Sequence, residues 1–238
     1  HGARRADDHE IHHLRRRADT DMKWGLFGGT FDPVHLGHLR CAEEVLELFG
    51  FDKILFIPAA IQPLKTDREI LPFRHRAQML RLAIEGNPSF AVSDIEEKRG
   101  GRSYSVETVR HFLGAAPGGA EISFILGQDA FHEIPMWKEW RELVRLCDFI
   151  VMTRPGYETR GLADVFPPDV ASLFHYDEAA DGFRGPAGRW IFFRSLILLD
   201  ISSTDIRDRV TAGRSIRYLV PDPVRDYILK NSNGGYFS

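Results

Sequence analysis

Apolar and polar positions alternate in blocks along this 238-residue chain. Short, nearly continuous apolar runs occur at KWGLF (23–27), KILFIP (53–58), ISFILG (122–127) and DFIVMTRPG (148–156). Glycine or proline closes or follows each of them, so each reads as a buried strand. Between them, apolar residues recur every three or four positions in LGHLRCAEEVLELFG (36–50), FRHRAQMLRLAIEG (73–86), SVETVRHFLGAA (105–116) and WKEWRELVRL (137–146). That period predicts helices, the first two stopped by Gly50 and Gly86, the third capped by Ser105. FAVSDIE (90–96) and RSLILLD (194–200) add two strands; STDIRDRVTAG (203–213) and DPVRDYILKN (222–231) add terminal helices. Strands alternating with helices predict βαβ units. The expected class is α/β, a parallel sheet of five to six strands with helices on both faces. Residues 156–190 are rich in Gly, Pro and Asp and show no clear period; they read as a long excursion holding one short strand.

Composition narrows the functions open to such a fold. Hydrophobic residues make up 43% of the chain, enough for a sizeable core. The formal net charge of -3 argues against a general nucleic-acid binder, which needs a basic surface, but leaves room for a local basic pocket. No apolar run reaches the roughly 20 residues of a membrane-spanning helix; WIFFRSLILLD is interrupted by Arg194. The two cysteines, Cys41 and Cys147, lack metal-type spacing and read as reduced core thiols of a cytoplasmic protein. Residues 1–21, charged and poor in large apolar side chains, are expected to be a disordered extension, with the domain spanning 22–238. Deleting them should change melting temperature and activity little.

The strongest chemical signal is GLFGGTFDPVHLGHLR (25–40). A strand ending at Phe27 is followed by Gly28, Gly29, Thr30, Phe31, Asp32 and Pro33, then a helix start. Ligands of open parallel sheets bind beyond the carboxyl ends of the strands. Glycines let backbone N–H groups approach a phosphate, and a helix N-terminus favours an anion. His35 and His38, three residues apart, share one helix face there. The spacing is neither the GxGxxG dinucleotide fingerprint nor a Walker loop. A glycine turn with two incidental histidines, or a metal site lacking an evident third ligand, are the other readings of these residues.

GGTFDPVHLGH resembles the GxFDxxHxGH pattern of the nucleotidyltransferase superfamily, and ISSTDIR (201–207) resembles its late ISSTxIR motif. The closer resemblance, from Lys23 to about Tyr227, is to the bacterial nicotinate-nucleotide adenylyltransferase family. It rests on IPAAIQPLK (57–65), RGGRSYSVET (99–108), FILGQDAFHEIPMWKEWREL (124–143), RPG (154–156) and YLVPDPVRDYI (218–228). Leu64 stands where that family usually has His, and Ser105 where it usually has Thr. The resemblance implies a Rossmann-like, doubly wound sheet. The implied reaction transfers the adenylyl group of ATP to nicotinate mononucleotide, releasing pyrophosphate, without a covalent intermediate. Sister adenylyltransferases and cytidylyltransferases share the two phosphate motifs but not the segments at 99–108 and 124–143. A non-catalytic nucleotide-binding module is countered by intact His35, His38 and Arg207.

The same resemblance implies the roles of individual residues. His35 and His38 contact the triphosphate, and Arg207 holds its outer phosphates. Gly28, Gly29, Thr30 and Phe31 form the phosphate-facing turn. Lys65, Arg154, Ser203 and Thr204 add phosphate or nucleotide contacts, with Ser203 or Thr204 as the helix cap. Ser105, Thr108, Gly127, Asp129 and Trp137 meet nicotinate mononucleotide, Trp137 by stacking; Asp129 as a mere helix cap and Trp137 as a core residue are the alternatives. Trp140 reads as core. Mg²⁺ is expected with ATP, held by phosphates rather than by protein ligands. A homo-oligomer is compatible with the sequence, and neither nucleic acid nor membrane is an expected partner.

Overall fold

The structure, a computed structural model, describes residues 22–61, 70–115, 120–153, 161–196 and 199–232. Residues 1–21, Lys65 and Arg154 lie outside the described residues. Strands β1 (Lys23–Gly29), β2 (Lys53–Pro58), β3 (Phe90–Val92), β4 (Glu121–Gly127), β5 (Asp148–Thr153), β6 (His175–Asp177), β7 (Gly182–Arg184) and β8 (Trp190–Ser195) form one sheet. The helices are α1 (Leu36–Phe49), α2 (Phe73–Ala83), α3 (Ile95–Arg99), α4 (Ser105–Ala115), α5 (Gln128–His132), α6 (Trp140–Leu146), α7 (Pro168–Ala171), α8 (Ser203–Thr211) and α9 (Asp222–Ser232).

The strand order is β3-β2-β1-β4-β5-β8-β7-β6. The first six strands run parallel. The order reverses at β1, so its carboxyl end beside β4 is the switch point at which doubly wound sheets bind ligands. Alternation along each strand divides the core. Trp24, Leu26, Phe124 and Leu126 pack on one face with Val106 and Val109 of α4 and Leu143 of α6. Phe27, Ile54, Phe56 and Ile125 pack on the other with Val45 of α1, Met79 of α2 and Ile228 of α9. Both faces are therefore covered, which is why these strands read as unbroken apolar runs.

The sheet has eight strands among the described residues, not five to six. The additional pair, β6 and β7, is antiparallel and extends the β8 edge. Each is three residues long, too short to show a period of two, and their turn is tied locally. Asp177 Oδ1 accepts the Ala179 and Ala180 N–H groups at 3.0 and 3.1 Å. The strand expected at 194–200 lies earlier, at 190–195. Asp148 accepts the Trp190 N–H at 2.9 Å and sets that start. Arg194 is no breaker: it donates to the Asp181 and Ala180 carbonyls and lies over the Phe49 and Phe192 rings. The strand expected over 90–96 ends at Val92, and α3 follows. The helix expected from Trp137 begins at Trp140, after a 3₁₀ turn over Ile134–Met136.

Candidate active site

His35 is the N-cap of α1, with extended backbone (φ -145°, ψ 170°). The two histidines cap each other. The His38 N–H donates to His35 Nδ1, and the His35 N–H donates to His38 Nδ1, both at 3.3 Å. Their rings stack with centroids 3.6 Å apart. This is the capping-box geometry with imidazoles in place of Ser and Glu. A Cβ on the intervening Gly37 would lie 3.0 Å from His35 Nδ1, so a larger residue there would push the His35 ring by a few tenths of an ångström.

The cap also sets the protonation state. A ring nitrogen that accepts a backbone N–H cannot carry a proton, so each neutral imidazole holds its proton on Nε2. Burial pushes the His35 imidazolium down to about pKa 4. Burial, and then the adjacent His35, push His38 well below the usual histidine range. The site thus presents two neutral Nε2–H donors. Two of the amides at the start of α1 are already engaged within the protein. The Leu36 N–H donates to the Leu219 carbonyl at 2.9 Å, and the His38 N–H is used in the cap. The imidazoles, rather than those two amides, carry the helix end's donor capacity outward.

The late motif folds back onto this turn. Ser202, not Ser203 or Thr204, is the N-cap of α8; its hydroxyl accepts the Asp205 N–H at 3.0 Å. Ser203 instead donates to the Pro33 carbonyl at 2.8 Å. Arg207 Nη1 donates to the Asp32 carbonyl at 2.6 Å, and Nη2 to Thr204 Oγ1 at 2.9 Å. The buried Asp32 carboxylate lies 4.0 Å from the same guanidinium. Residues 170 positions apart in the chain therefore meet at one strand end. Phe31 contributes backbone only: its ring is buried edge-on to Phe27, Phe56 and His38.

Beside the turn lies a cavity of about 220 Å³. Gly28 and Gly29 form one wall, Ser105 and Gly127 others, and the half-buried Trp137 a further one. All five were expected phosphate-turn or acceptor residues, drawn from four separate segments, and the cavity gathers them. Gly28 is glycine because a Cβ would sit 2.9 Å from Phe124 Cζ, and Phe124 packs edge-on to Trp137. Ser105 is the first residue of α4 rather than its cap; the Tyr104 carbonyl accepts the Thr108 N–H at 3.2 Å. The Trp137 N–H is already donated to the Ile134 carbonyl at 2.8 Å, so it does not open a helix toward a ligand.

Two expected residues stand off the cavity wall. Thr108 is fully buried and donates to Glu96 Oε1 at 2.8 Å, so it positions Glu96 instead of touching a ligand. Asp129 is exposed on the first turn of α5, and Gly127 rather than Asp129 holds the N-cap position. Glu96, Ser103, Tyr104, Glu133 and Lys138 line the cavity without having been singled out. Burial pushes the Glu96 carboxyl up from the usual carboxylate range. Lys138 Nζ lies 2.6 Å from Glu107 and 4.5 Å over the Tyr104 ring. Ser103 and Tyr104 fall within the 99–108 motif, and Lys138 follows Trp137, so adjacency was the signal available in the sequence. Trp140 packs in the core as expected, stacked on Phe166.

Residues 26–209 match the family described as cytidylyltransferase-like. A relative from Geobacter sp. (strain M21), named "Probable nicotinate-nucleotide adenylyltransferase", is 45% identical over 207 residues, covering 87% of this chain and 95% of its own. Another of the same name, from Citrifermentans bemidjiense, is 44% identical over the same length and coverage. The fold is similar to that of a solved structure of Plasmodium falciparum nicotinic acid mononucleotide adenylyltransferase complexed with NaAD. Its TM-score is 0.68 at 19% identity, covering 91% of this chain and 98% of that one. The chain belongs to the nicotinate-nucleotide adenylyltransferases of the cytidylyltransferase-like family.

Proposed function

We propose that the protein transfers the adenylyl group of ATP to nicotinate mononucleotide, giving nicotinate adenine dinucleotide and pyrophosphate in NAD biosynthesis. One observation carries this reading beyond the family match. Gly28 and Gly29 end at the phosphate turn and also wall the acceptor cavity, so two substrates would meet at one strand end. The acceptor's phosphate monoester, with a second pKa of about 6, is largely ionised near pH 7 and needs no general base. It would attack the α-phosphorus in line as pyrophosphate leaves. Catalysis then rests on positioning and charge stabilisation, which suits a site of neutral imidazole donors and an arginine without a nucleophile.

In this reading His35 and His38 donate from Nε2 to the triphosphate, His38 nearest the α-phosphate. Arg207 holds the β- and γ-phosphates, where its planar fork suits them. Thr30 and Phe31 offer backbone donors, Ser203 and Thr204 fix the arginine's helix against the turn, and Lys65 and Arg154 add nucleotide contacts. Trp137 stacks on the pyridine ring, and Gly127 with Asp129 lies toward a ribose. Mg²⁺ bound with ATP would supply charge neutralisation on the phosphates, which with water would hold it. Asp32, the carboxylate beside the turn, already faces Arg207, so no protein ligand is assigned to the ion. Among the described residues no helix is long and apolar enough to cross a membrane. We place the enzyme's work in the cytoplasm, where the buried Cys41 and Cys147 stay as thiols.

Nicotinate differs from nicotinamide mononucleotide in carboxylate against carboxamide. The start of α4 at Ser105 and the Lys138 ammonium on the cavity wall both favour the anion. Charge-assisted bonds are roughly twice as strong as neutral ones. Pyrophosphate release with ATP, Mg²⁺ and a panel of acceptors tests the reading. Higher kcat/KM for the nicotinate acceptor is expected. Equal values for both would defeat the carboxylate assignment, and release only with a different acceptor class would defeat the function.

A further inference from the structure

The α2 residue Arg76 is 1% exposed, yet it carries a charged fork into the core. Its three nitrogens reach three separate segments. Nη1 donates to the Thr30 carbonyl at 2.8 Å, Nη2 to the Ala59 carbonyl at 2.7 Å, and Nε to the Leu71 carbonyl at 2.8 Å. Thr30 belongs to the phosphate turn, and Ala59 to the cavity wall. We infer that Arg76 is a positioning residue that locks the phosphate turn and the acceptor wall into one preformed body. This rests on the adenylyltransferase reading only for the identity of the two substrates.

In a trans peptide the C=O and the next N–H point in opposite directions. The Thr30 carbonyl turned inward to Arg76 therefore turns the Phe31 N–H away from the guanidinium. The Ala59 carbonyl turned to the same fork turns the Ala60 N–H the other way, where Ser103 Oγ of the cavity wall accepts it at 2.8 Å. The Ala59 N–H closes the loop on the Gly29 carbonyl at 2.9 Å. Phe31 adopts φ 50°, a left-handed conformation that is strained for a bulky residue and persists only where surroundings impose it. The buried ring holds one side of that residue, and Arg76 holds the peptide on the other. A buried guanidinium satisfied by three carbonyls is costly to desolvate. Lysine keeps the charge but cannot span three acceptors in a plane.

The test uses Arg76→Lys and Arg76→Gln, with folded protein quantified by circular dichroism and melting, and kcat and KM measured for both substrates per folded molecule. Misplacement of the turn predicts a fall in kcat of roughly 10²-fold, with raised KM for ATP and for the acceptor together. Lower melting temperatures with unchanged kcat and KM would overturn the inference, since a purely structural residue alters the amount of folded enzyme and not its constants. Should neither variant fold, backbone order parameters of the unliganded wild type decide. Values of about 0.85 at residues 30–31 and 59–60, as in the strands, are expected, and values below about 0.6 would overturn the preformed body. If the wild type makes no pyrophosphate with nicotinate mononucleotide, the functional reading fails; the order parameters still judge the clamp.

Discussion

Acidification should unfasten the histidine cap, and His35 sets the scale. Its folded pKa is about 4 against an ordinary 6.5. A group that binds its proton more weakly when folded makes the unfolded state the stronger proton acceptor between those values. Stability is then fully present above about pH 6.5, falls as pH drops through the window, and loses nothing further below about 4. A shift of about 2.5 units corresponds to roughly 3 kcal/mol at 1.36 kcal/mol per unit. His38, lowered by burial and by His35, acts in the same direction. Carboxylates titrate in the lower part of this window, so the effect must be read as a difference. His35→Asn supplies it: asparagine is among the best N-caps and does not titrate. Urea denaturation of both proteins at pH 7.5, 6.5, 5.5 and 4.5 should show the wild type's advantage shrinking, or its deficit growing, by about 2.5 kcal/mol across the series, most of the full effect. Long-range ¹H–¹⁵N spectra at pH 7.5 should show both rings protonated at Nε2. A difference constant with pH, a His35 titration near 6.5, or an Nδ1-protonated tautomer would refute the mutual cap. Because neutral rings are the working form, loss of kcat/KM just below pH 6 should track the acceptor phosphate rather than these histidines.

His38→Ala should lower turnover by about 10²–10³-fold, the usual cost of one charge-stabilising donor, while circular dichroism shows a retained fold; wild-type-like turnover in the folded variant would remove His38 from the reaction. Gly28→Ala places a methyl 2.9 Å from Phe124 Cζ, which must move with Trp137 behind it. Overpacking of that kind costs about 1–3 kcal/mol, so the acceptor's KM should rise roughly tenfold or more; steady-state kinetics would expose an unaltered acceptor KM.

The sequence made the central sheet legible because each of its long parallel strands is buried on both faces and flanked by helices with a clear period. Where structure depends on contacts made across the chain, the same reading slipped. β8 starts at Trp190 because Asp148 accepts that N–H, and Arg194 sits in the strand because Asp181 and two aromatic rings receive it. Asp148, Asp181 and Phe49 all lie far in sequence from the residue they engage. Likewise Ser202, Ser203 and Thr204 are chemically interchangeable caps when read in a row. Only the Pro33 carbonyl and the Arg207 side chain, which engage Ser203 and Thr204, assign the cap to Ser202.

The two halves of the site differ in legibility for a related reason. The proposed phosphate half is largely compact in sequence: residues 28–38 and 202–207 supply most of it, and a mutual cap at i, i+3 is a local event that leaves a local pattern. The acceptor half takes between one and four residues from each of β1, the β2 end, α3, the α4 start, β4, α5 and the turn before α6. None of those contributions has a spacing of its own, so Glu96, Glu133 and Lys138 carry no pattern, and Thr108 was placed on a wall that it only supports. Arg76 is the extreme case. In sequence it is one arginine among the basic residues of FRHRAQMLR, with nothing to set it apart from Arg74 or Arg81. Its role exists only because three carbonyls from three segments converge where α2 crosses behind the strand ends. A residue that joins the legible half to the illegible one is, for that reason, visible in the fold alone.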